Sequence, residues 1–378
     1  MKKILFVIPS FMHGGTNRSS CNTIDLFDFG AHGIEVDLLC IKGMSEKTYL
    51  NEFKNRGVNI LPENFWMTLR NYKGKKPFIR FLKKIYKYLP SAGARLVDKA
   101  ACLRYGRKYD AVVAMEEGIA TQMASYIKAP KRIAWLRCMY DRYFENNNRR
   151  DESGFYDKFN SVVCVSEECR KSLIAVYPQY SEKAVCIPNA PNRELILKKS
   201  EEKTDIEFDG RYFNIVSVGR LNEVKQFHLI PEVTRKLLDS GLSVKWYIVG
   251  DGHDKNRIAE EIKKYNVEEN VLLIGSRANP YPIMKKADLV AVTSYSESFC
   301  LVISEGIILA RKVISTPFPA VYDTMRDYKN GFICNLSDFP NRIMSIASSD
   351  KNEDVPVISS NKEDRQIVEF VKKLEKLF

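Results

Sequence analysis

Two glutamates, Glu297 and Glu305, lie eight positions apart in the segment SYSESFCLVISEG (residues 294–306), one before a short apolar run and one inside it. On a single helix, eight residues would turn the second carboxylate about 80° from the first and raise it by about 12 Å. The two carboxylates therefore cannot act as a pair on one atom. We expect them to contact different parts of one elongated ligand.

The residues between the two glutamates predict a site for an anion. The apolar run DLVAVTS (288–294) predicts a strand, and the turn after it leads into a predicted helix that begins at about Phe299. The N–H groups at that helix start, around Phe299 to Leu301, can hold a phosphate. A ligand with hydroxyls at both ends and phosphate in the middle is a nucleotide-sugar.

Two other segments lie at the ends of predicted strands and carry residues that could bind a nucleotide-sugar. SVGRLNEVKQ supplies Arg220 and Lys225, two cations that could neutralise a diphosphate as it becomes a leaving group. IVGDG places Gly250 and Gly252 at the carboxyl edge of a sheet, where open α/β folds bind ligands and where glycine permits close backbone approach. A strand-end glycine is more often a simple turn, and a single cation is usually solvated, so the ordered set carries the inference.

Short apolar runs alternate with helical patterns along the whole chain, beginning with KILFVIP at residues 3–9. Runs of this length are typical of strands buried on both faces of parallel sheets. A polar, charged stretch at 192–212 separates two sets of runs. We therefore predict an α/β protein with two doubly wound domains. The predicted parts are an N-terminal domain over 1–195, a linker over 196–212, a C-terminal domain over 213–360 and a last helix over 361–378. One expectation for this last helix is that it packs on the N-terminal domain.

Composition limits the class of protein. The chain has 378 residues, 45% hydrophobic and 28% charged, which suits two globular domains. No apolar run reaches the roughly 18 residues that a bilayer crossing needs. The nine cysteines are scattered and accompanied by only four histidines, so neither a disulfide framework nor a zinc motif is indicated. We expect a reducing, cytoplasmic setting and no metal.

The net charge of +12 is concentrated in one segment. Residues 70–108 contain thirteen lysines or arginines and one acid, which equals the excess of the whole chain. Within this segment KKPFIRFLKKIYKYL predicts a basic amphipathic helix with aromatic residues, which favours an anionic membrane surface. The alternative is a helix that docks its apolar stripe on its own domain. No nucleic-acid-binding motif is present, and we expect no nucleic acid partner.

The motifs in the second half resemble a known family. SVGRL…K, YIVGDG, NVLLIG, ADLVAVTS and the E-x7-E pair, followed by VIST and NGF, are similar in order and spacing to the carboxyl-terminal domain of retaining glycosyltransferases of family 4 over about residues 213–335. The first half resembles the family only in its strand, Gly-Gly turn and helix, and in its α/β rhythm. The resemblance implies the GT-B fold, in which two Rossmann-like domains face a cleft.

The resemblance also implies roles for individual residues. Glu297 would contact the donor sugar, Glu305 the nucleotide ribose, and Arg220 with Lys225 the diphosphate, so that Arg220, Lys225 and Glu297 form the catalytic set. Further donor-binding residues would be Gly15, Gly250, Gly252, Arg277, Ser298, Phe299, Cys300 and Leu301. The acceptor-side residues would be His13, Glu117 and Arg137.

Two departures from the family pattern bear on these roles. Where the family usually reads E-G-F-G-L, Ser298 and Cys300 replace both glycines. Where many members place a histidine after an I-A-W strand, this chain has Arg137, which either orients an acidic or phosphorylated acceptor or is a strand-end charge.

The resemblance implies front-face retaining transfer of a hexose, with UDP favoured over GDP, to a glycan or lipid-linked acceptor, as in polysaccharide biosynthesis. Charge that develops on the leaving diphosphate would be stabilised by preorganised cations, without a metal. Two alternatives stay open. One is another GT-B enzyme, such as an epimerase or a phosphorylase. The other is a non-catalytic partner subunit, which the replaced glycines suggest. With the basic segment, the expected location is cytoplasmic and peripheral at the inner face of the membrane.

Overall fold

The computed structural model describes residues 1–11, 14–42, 49–62, 76–88, 91–106, 108–309, 311–348 and 360–378. The chain divides into two compact units. Unit 1 comprises Met1–Ala190 together with Glu369–Phe378, and unit 2 comprises Pro191–Val368.

Within the described residues, unit 1 contains a parallel sheet of seven strands in the order β3-β2-β1-β4-β5-β6-β7. The strands are β1 (Lys2–Ile8), β2 (Ile34–Cys40), β3 (Asn59–Ile60), β4 (Ala111–Ala114), β5 (Lys131–Leu136), β6 (Ser161–Cys164) and β7 (Ala184–Cys186). The helices are α1 (Gly15–Phe27), α2 (Leu50–Lys54), α3 (Pro77–Tyr88), α4 (Ser91–Leu103), α5 (Ile119–Tyr126), α6 (Tyr140–Asn146), α7 (Ser153–Tyr156) and α8 (Glu167–Val176).

The central position of β1 in the unit 1 sheet explains its apolar sequence. Ile4 of β1 pairs with Val36 of β2 on one side and with Ala111 of β4 on the other. Residues 4–8 of β1 are all buried. A strand flanked on both sides and covered on both faces must be continuously apolar, as the run KILFVIP is.

Unit 2 contains, within the described residues, a parallel sheet of six strands in the order β10-β9-β8-β11-β12-β13. The strands are β8 (Phe213–Val218), β9 (Val244–Val249), β10 (Val271–Gly275), β11 (Leu289–Val292), β12 (Lys312–Ser315) and β13 (Gly331–Ile333). The helices are α9 (Arg193–Ser200), α10 (Ile230–Asp239), α11 (Lys255–Lys264), α12 (Tyr281–Lys286), α13 (Leu301–Ile308), α14 (Pro319–Met325) and α15 (Phe339–Ser348). A last helix, α16 (Ser360–Leu377), follows.

Two apolar clusters cover the sheet of unit 2. One contains Tyr281 and Ile303, from α12 and α13. The other contains Ile230, Trp246 and Phe339. The predicted α/β class with two Rossmann-like, parallel-sheet domains is confirmed. The runs KILFVIP and DLVAVTS, predicted as strands, contain β1 and β11, whereas the short edge strands β3 and β13 were not predicted.

The segment predicted as a linker contains regular structure. Helix α9 lies partly within it and belongs to unit 2. The side-chain oxygen of Asn192 accepts a hydrogen bond from the Leu195 N–H (3.0 Å), so this helix has a regular N-terminal cap. Unit 2 therefore starts before the residues that the charge pattern suggested.

The end of α16, from Glu369 onward, belongs to unit 1. The ring of Phe378 lies 5.7 Å from that of Phe27 and 5.4 Å from that of Phe29, measured between centroids. Lys2 Nζ donates to the Phe378 backbone oxygen (3.1 Å). Among the helices that the structure describes, none has both the length and the apolar character to cross a membrane.

Candidate functional site

The loops that follow β8 and β11 are tied together at the carboxyl edge of the unit 2 sheet. Asn222 caps a short 3₁₀ turn by accepting from the Lys225 N–H (3.3 Å). Thr293 Oγ1 donates to the Lys225 backbone oxygen (2.6 Å), and the Tyr295 N–H donates to the Val224 oxygen (3.1 Å). These bonds fix the loop that carries Lys225 against the loop that leads to Glu297.

Lys225 and Glu297 form an ion pair in this site. The Lys225 ammonium donates to Glu297 Oε1, and the two side chains are only 18% and 15% exposed. Ser294 Oγ donates to the same carboxylate oxygen (2.7 Å). Burial acts to lower the pKa of Lys225, but Glu297 together with Cys300 and Glu305 outweighs this effect, so the pKa is raised above its ordinary value. The ammonium is therefore charged at neutral pH and is neutralised by a carboxylate.

Arg220 stands in a different environment from Lys225. It is exposed, and it forms no ion pair with any residue in the described part of the chain. The two cations that the sequence grouped together thus differ in burial and in partner.

Gly250 and Gly252 permit two loops to pass in close contact. A Cβ on Gly250 would lie 1.8 Å from the backbone oxygen of Gly219, and one on Gly252 would lie 2.1 Å from that of Leu221. The Leu221 N–H donates to the Asp251 oxygen (3.0 Å). Both glycines are therefore required by the chain's own backbone after β8, and their predicted contact with a donor stays a prediction.

Cys300 adopts the backbone conformation that glycine favours. Its φ of 62° and ψ of 76° lie in the left-handed region, and it immediately precedes α13. The side chain is buried, which raises the pKa of its thiol to about 12, with a further contribution from Glu297. Helix α13 begins at Leu301, after the predicted start at Phe299, since a left-handed residue cannot be part of the helix. Ser298 and Phe299 are half-buried.

Glu305 lies on α13 and is buried. The hydroxyl of Tyr281, at the start of α12, donates to Glu305 Oε1 over 3.1 Å. The sequence interpretation named Glu305 but missed Tyr281, Ser294 and Thr293. Ser294 and Thr293 could have been found from the polar end of the strand DLVAVTS. No sequence signal pointed to Tyr281, because its contact with Glu305 depends on how α12 packs beside α13.

Arg277, predicted as a donor-binding residue, forms an ion pair with Asp205 (3.0 Å). Among the described residues it makes no ion pair with Glu297 or Glu305.

In unit 1, Arg137 and Glu117 meet at the carboxyl edge of the sheet. The Arg137 N–H donates to Glu117 Oε2 (3.0 Å). The guanidinium donates to Ser19 Oγ (2.6 Å), Asn189 Oδ1 (2.9 Å) and the Met115 oxygen (2.8 Å). Burial lowers the pKa of Arg137 to about 10 although nearby carboxylates oppose the shift, so it remains charged at neutral pH. Arg137 therefore links α1, the end of β4 and the segment after β7.

The remaining predicted residues of unit 1 lie near the start of α1. Gly15 is its first residue, with no heavy atom within 4 Å of the position that a Cβ would take. His13, predicted on the acceptor side, lies outside the described residues.

Comparisons with known proteins find similar glycosyltransferases. The family model for glycosyl transferases group 1 matches residues 198–368, which all lie in unit 2 and make up less than half of the chain. The poly(ribitol-phosphate) alpha-N-acetylglucosaminyltransferase of Staphylococcus aureus is 30% identical over 139 residues, covering 35% of this chain and 28% of that protein. The N-acetylgalactosamine-N,N'-diacetylbacillosaminyl-diphospho-undecaprenol 4-alpha-N-acetylgalactosaminyltransferase of Campylobacter jejuni is 27% identical over 249 residues, 64% of each chain. The chain thus spans less than two thirds of the length of these relatives.

Solved structures show the same fold over the whole chain. HepE of Anabaena in complex with UDP-glucose has a TM-score of 0.72 at 16% identity, covering 100% of this chain and 99% of that one. The pneumococcal O-GlcNAc transferase GtfA in complex with UDP and GlcNAc has a TM-score of 0.66 at 13% identity, covering 99% and 98%. At such identities the likeness concerns the fold, and it confirms the predicted GT-B class.

Proposed function

We propose that this protein is a glycosyltransferase that moves a hexose from a nucleotide-diphosphate sugar to the hydroxyl of a glycan or a lipid-linked acceptor. The observation that carries the proposal is the largely buried Lys225–Glu297 pair, held by two loops at the carboxyl edge of unit 2. The pair lies inside the region that matches glycosyl transferases group 1. UDP is the favoured nucleotide, since the similar structures named above contain UDP or UDP-glucose.

The proposed reaction retains the anomeric configuration and occurs on one face of the sugar. The bond between the donor's anomeric carbon and the diphosphate oxygen breaks, and its electron pair goes to the diphosphate. The acceptor oxygen bonds to the same face of the anomeric carbon and passes its proton to a diphosphate oxygen. Lys225 and Arg220 would stabilise the charge that develops on the leaving group.

The same arrangement gives the other residues their proposed roles. Glu297 contacts the donor sugar, and Glu305 accepts hydrogen bonds from the nucleotide ribose. The N–H groups around Leu301 bind phosphate at the start of α13. Two side-chain cations supply positive charge near the diphosphate, so we propose that no divalent metal is needed.

On the acceptor side we propose a positioning role for Arg137. Its guanidinium is bound to Ser19, Asn189 and the Met115 oxygen, so it holds α1 beside the loop that carries Glu117. Glu117 and His13 are then the proposed acceptor contacts.

Thermal unfolding in the presence of UDP, GDP and ADP tests the donor assignment. A ligand at 100 times its Kd stabilises the folded state by about 2.7 kcal/mol, so UDP should raise the midpoint by several degrees more than ADP does. Turnover of a panel of UDP-sugars with and without EDTA, followed by NMR of the product anomer, tests the mechanism. Stabilisation by no nucleotide would refute the donor assignment, an inverted product would refute retention, and loss of activity in EDTA would refute metal independence.

One observation bears on the non-catalytic alternative, which the replaced glycines suggested. Cys300 has the left-handed backbone that glycine favours, so the loop has a conformation that a glycine at this position would also allow. Retention of Lys225, Glu297 and Glu305 in one site also favours an active enzyme. Turnover that requires an acceptor separates a transferase from an epimerase, and turnover that requires inorganic phosphate identifies a phosphorylase.

We further propose that the basic segment within residues 70–108 binds an anionic membrane surface. On α3, Phe78 and Phe81 are 68% and 59% exposed, and on α4 Leu96 and Leu103 are 67% and 61% exposed. An inward-packed apolar stripe would have buried the two phenylalanines. Exposed apolar side chains interleaved with cations suit a bilayer with anionic headgroups. The protein would then act peripherally at the cytoplasmic face, where a lipid-linked acceptor is within reach.

Co-sedimentation with vesicles tests this surface. The wild type should pellet with anionic but not with neutral vesicles, and less as salt rises, since each basic residue contributes about 1 kcal/mol that salt screens. Changing Lys83 and Lys84 to Glu should abolish pelleting, whereas the same change at Lys263 and Lys264, an adjacent pair on α11, should not. A wild type that stays in solution with anionic vesicles at low salt would refute membrane binding and favour a soluble acceptor.

A further inference from the structure

The buried carboxylate of Glu305 has a specific hydroxyl donor. A charged group removed from water is costly unless it is hydrogen-bonded. Glu305 is 7% exposed, and Tyr281 Oη donates to its Oε1 over 3.1 Å. A phenol that bonds a carboxylate limits the orientations that the carboxylate can take.

Tyr281 is itself held in place from two directions. Its ring is 2% exposed and lies in the apolar cluster that includes Ile303 and Ile307 of α13. Its N–H donates to Asn279 Oδ1 (3.2 Å), and the amide of Asn279 donates to the backbone oxygen of Lys199 (2.7 Å) at the end of α9. The hydroxyl is therefore presented to Glu305 by a rigid part of unit 2.

We propose that Tyr281 is a positioning residue of the donor site, whose hydroxyl holds Glu305 in the orientation that binds the nucleotide ribose. This inference rests on the proposed function. Two neighbouring ribose hydroxyls need a carboxylate in one plane, and a glutamate side chain left to itself samples several rotamers. Fixing one oxygen on Tyr281 sets the direction of the other before the nucleotide arrives.

The effect belongs to binding and not to the chemical step, because Tyr281 acts on the nucleotide end of the donor. Tyr281→Phe removes one hydroxyl and preserves the ring. We expect the Kd for free UDP, and the KM for the donor, to rise about fivefold, which corresponds to roughly 1 kcal/mol. The value of kcat should change by less than about twofold, because uniform binding is lost in the ground state and in the transition state alike.

Tyr328→Phe is the matched control. Tyr328 belongs to the same apolar cluster and is 6% exposed, and its hydroxyl donates to the backbone oxygen of Arg311. Both variants lose the hydrogen bond of a buried tyrosine, so a stability effect should appear in both. Only Tyr281→Phe should weaken UDP binding. In the Glu305→Gln background, adding Tyr281→Phe should have much less effect on UDP than it has in the wild type.

Isothermal calorimetry with free UDP decides between the outcomes. If the wild type binds UDP and Tyr281→Phe binds it with the same Kd, the positioning role is overturned while the proposed function stands. The same loss in Tyr328→Phe, or full additivity with Glu305→Gln, would also overturn it. A wild type that binds no UDP would overturn both proposals. If Tyr281→Phe does not fold, 3-fluorotyrosine at the same position, a stronger donor, should tighten UDP binding, and an unchanged or weaker affinity would refute the role.

Discussion

Removing each of the two predicted leaving-group cations should give different results, because the structure places them in different environments. Lys225 is ion-paired with Glu297 in a largely buried position, whereas Arg220 is exposed. Alanine at position 225 deletes a charge and leaves a carboxylate without its cation. Alanine at position 220 deletes a solvated charge.

The stability cost of Lys225→Ala follows from its burial. Removing one partner of a fully buried ion pair costs about 3–5 kcal/mol. Lys225 and Glu297 retain 18% and 15% exposure, and Ser294 still donates to the carboxylate, so we expect about 2 kcal/mol. In a domain of this size that lowers the unfolding midpoint by roughly 4–8 °C. Arg220→Ala should stay within about 0.5 kcal/mol of the wild type.

The stability difference should also depend on pH in a defined direction. The pKa of Lys225 is raised in the folded state above the ordinary value of 10.5. Its stabilising contribution is therefore fully present below about pH 10.5 and is lost as the pH rises through the higher folded value. The gap between the wild type and Lys225→Ala should be constant around neutrality and should shrink only in strong alkali.

Turnover should respond to both cations. Each variant should lose about 100-fold or more in kcat, because a cation on the leaving diphosphate acts mainly in the transition state. The double variant Lys225→Ala with Glu297→Gln removes the uncompensated charge, so it should recover part of the stability of Lys225→Ala and none of its turnover.

Urea unfolding and donor turnover, measured on the same preparations, check these expectations. If Lys225→Ala is as stable as Arg220→Ala, the ion pair contributes nothing and the buried-pair reasoning is wrong. If folded Arg220→Ala retains wild-type kcat, Arg220 does not act on the leaving group.

Three further predictions concern the rest of the site. Glu305→Gln should weaken UDP binding measured by calorimetry, whereas Glu297→Gln should impair transfer more than UDP binding; equal losses would contradict the division of roles. Cys300→Gly should be more stable to urea than Cys300→Ala by about 1 kcal/mol, since alanine retains the left-handed strain and glycine does not. If Cys300→Ala is the more stable of the two variants, residue 300 does not have that conformation. Gly252→Ala should lower the thermal midpoint strongly, because its Cβ would lie 2.1 Å from a backbone oxygen, while Gly210→Ala, with open space around its Cβ position, should not; similar midpoints would disprove the close approach.

The features that the sequence predicted well are local ones. Buried strands such as β1 and β8 are continuous apolar runs, and their carboxyl ends carry Gly and charged residues within a few positions. The sheet edge at which Lys225 and Glu297 meet could therefore be inferred from strand ends alone. The strands β3 and β13 escaped prediction because two or three residues at a sheet edge carry too little apolar pattern to distinguish them from a loop.

The features that could not be predicted depend on contacts across the fold. The start of α13 at Leu301 follows from the left-handed conformation of Cys300. A cysteine in the sequence does not predict that conformation, whereas a glycine would have suggested it. The hydroxyl of Tyr281 reaches Glu305 only because α12 packs beside α13. The partners of Arg137 come from three separate segments, so its sequence position alone left its role undecided.

The Lys225–Glu297 pair gives the proposed mechanism an order of events. Without ligand, Glu297 neutralises Lys225, so neither charge is exposed alone in a poorly hydrated site. A donor diphosphate carries more negative charge than one carboxylate and can replace Glu297 as the partner of Lys225. In the proposed mechanism Glu297 would then lose its cation and turn to the hydroxyls of the donor sugar. Binding of the diphosphate and recognition of the sugar would thus be coupled through a single ion pair. A nucleotide without the sugar should displace Glu297 from Lys225 and offer this carboxylate no replacement partner. We therefore expect it to bind less tightly than the intact donor.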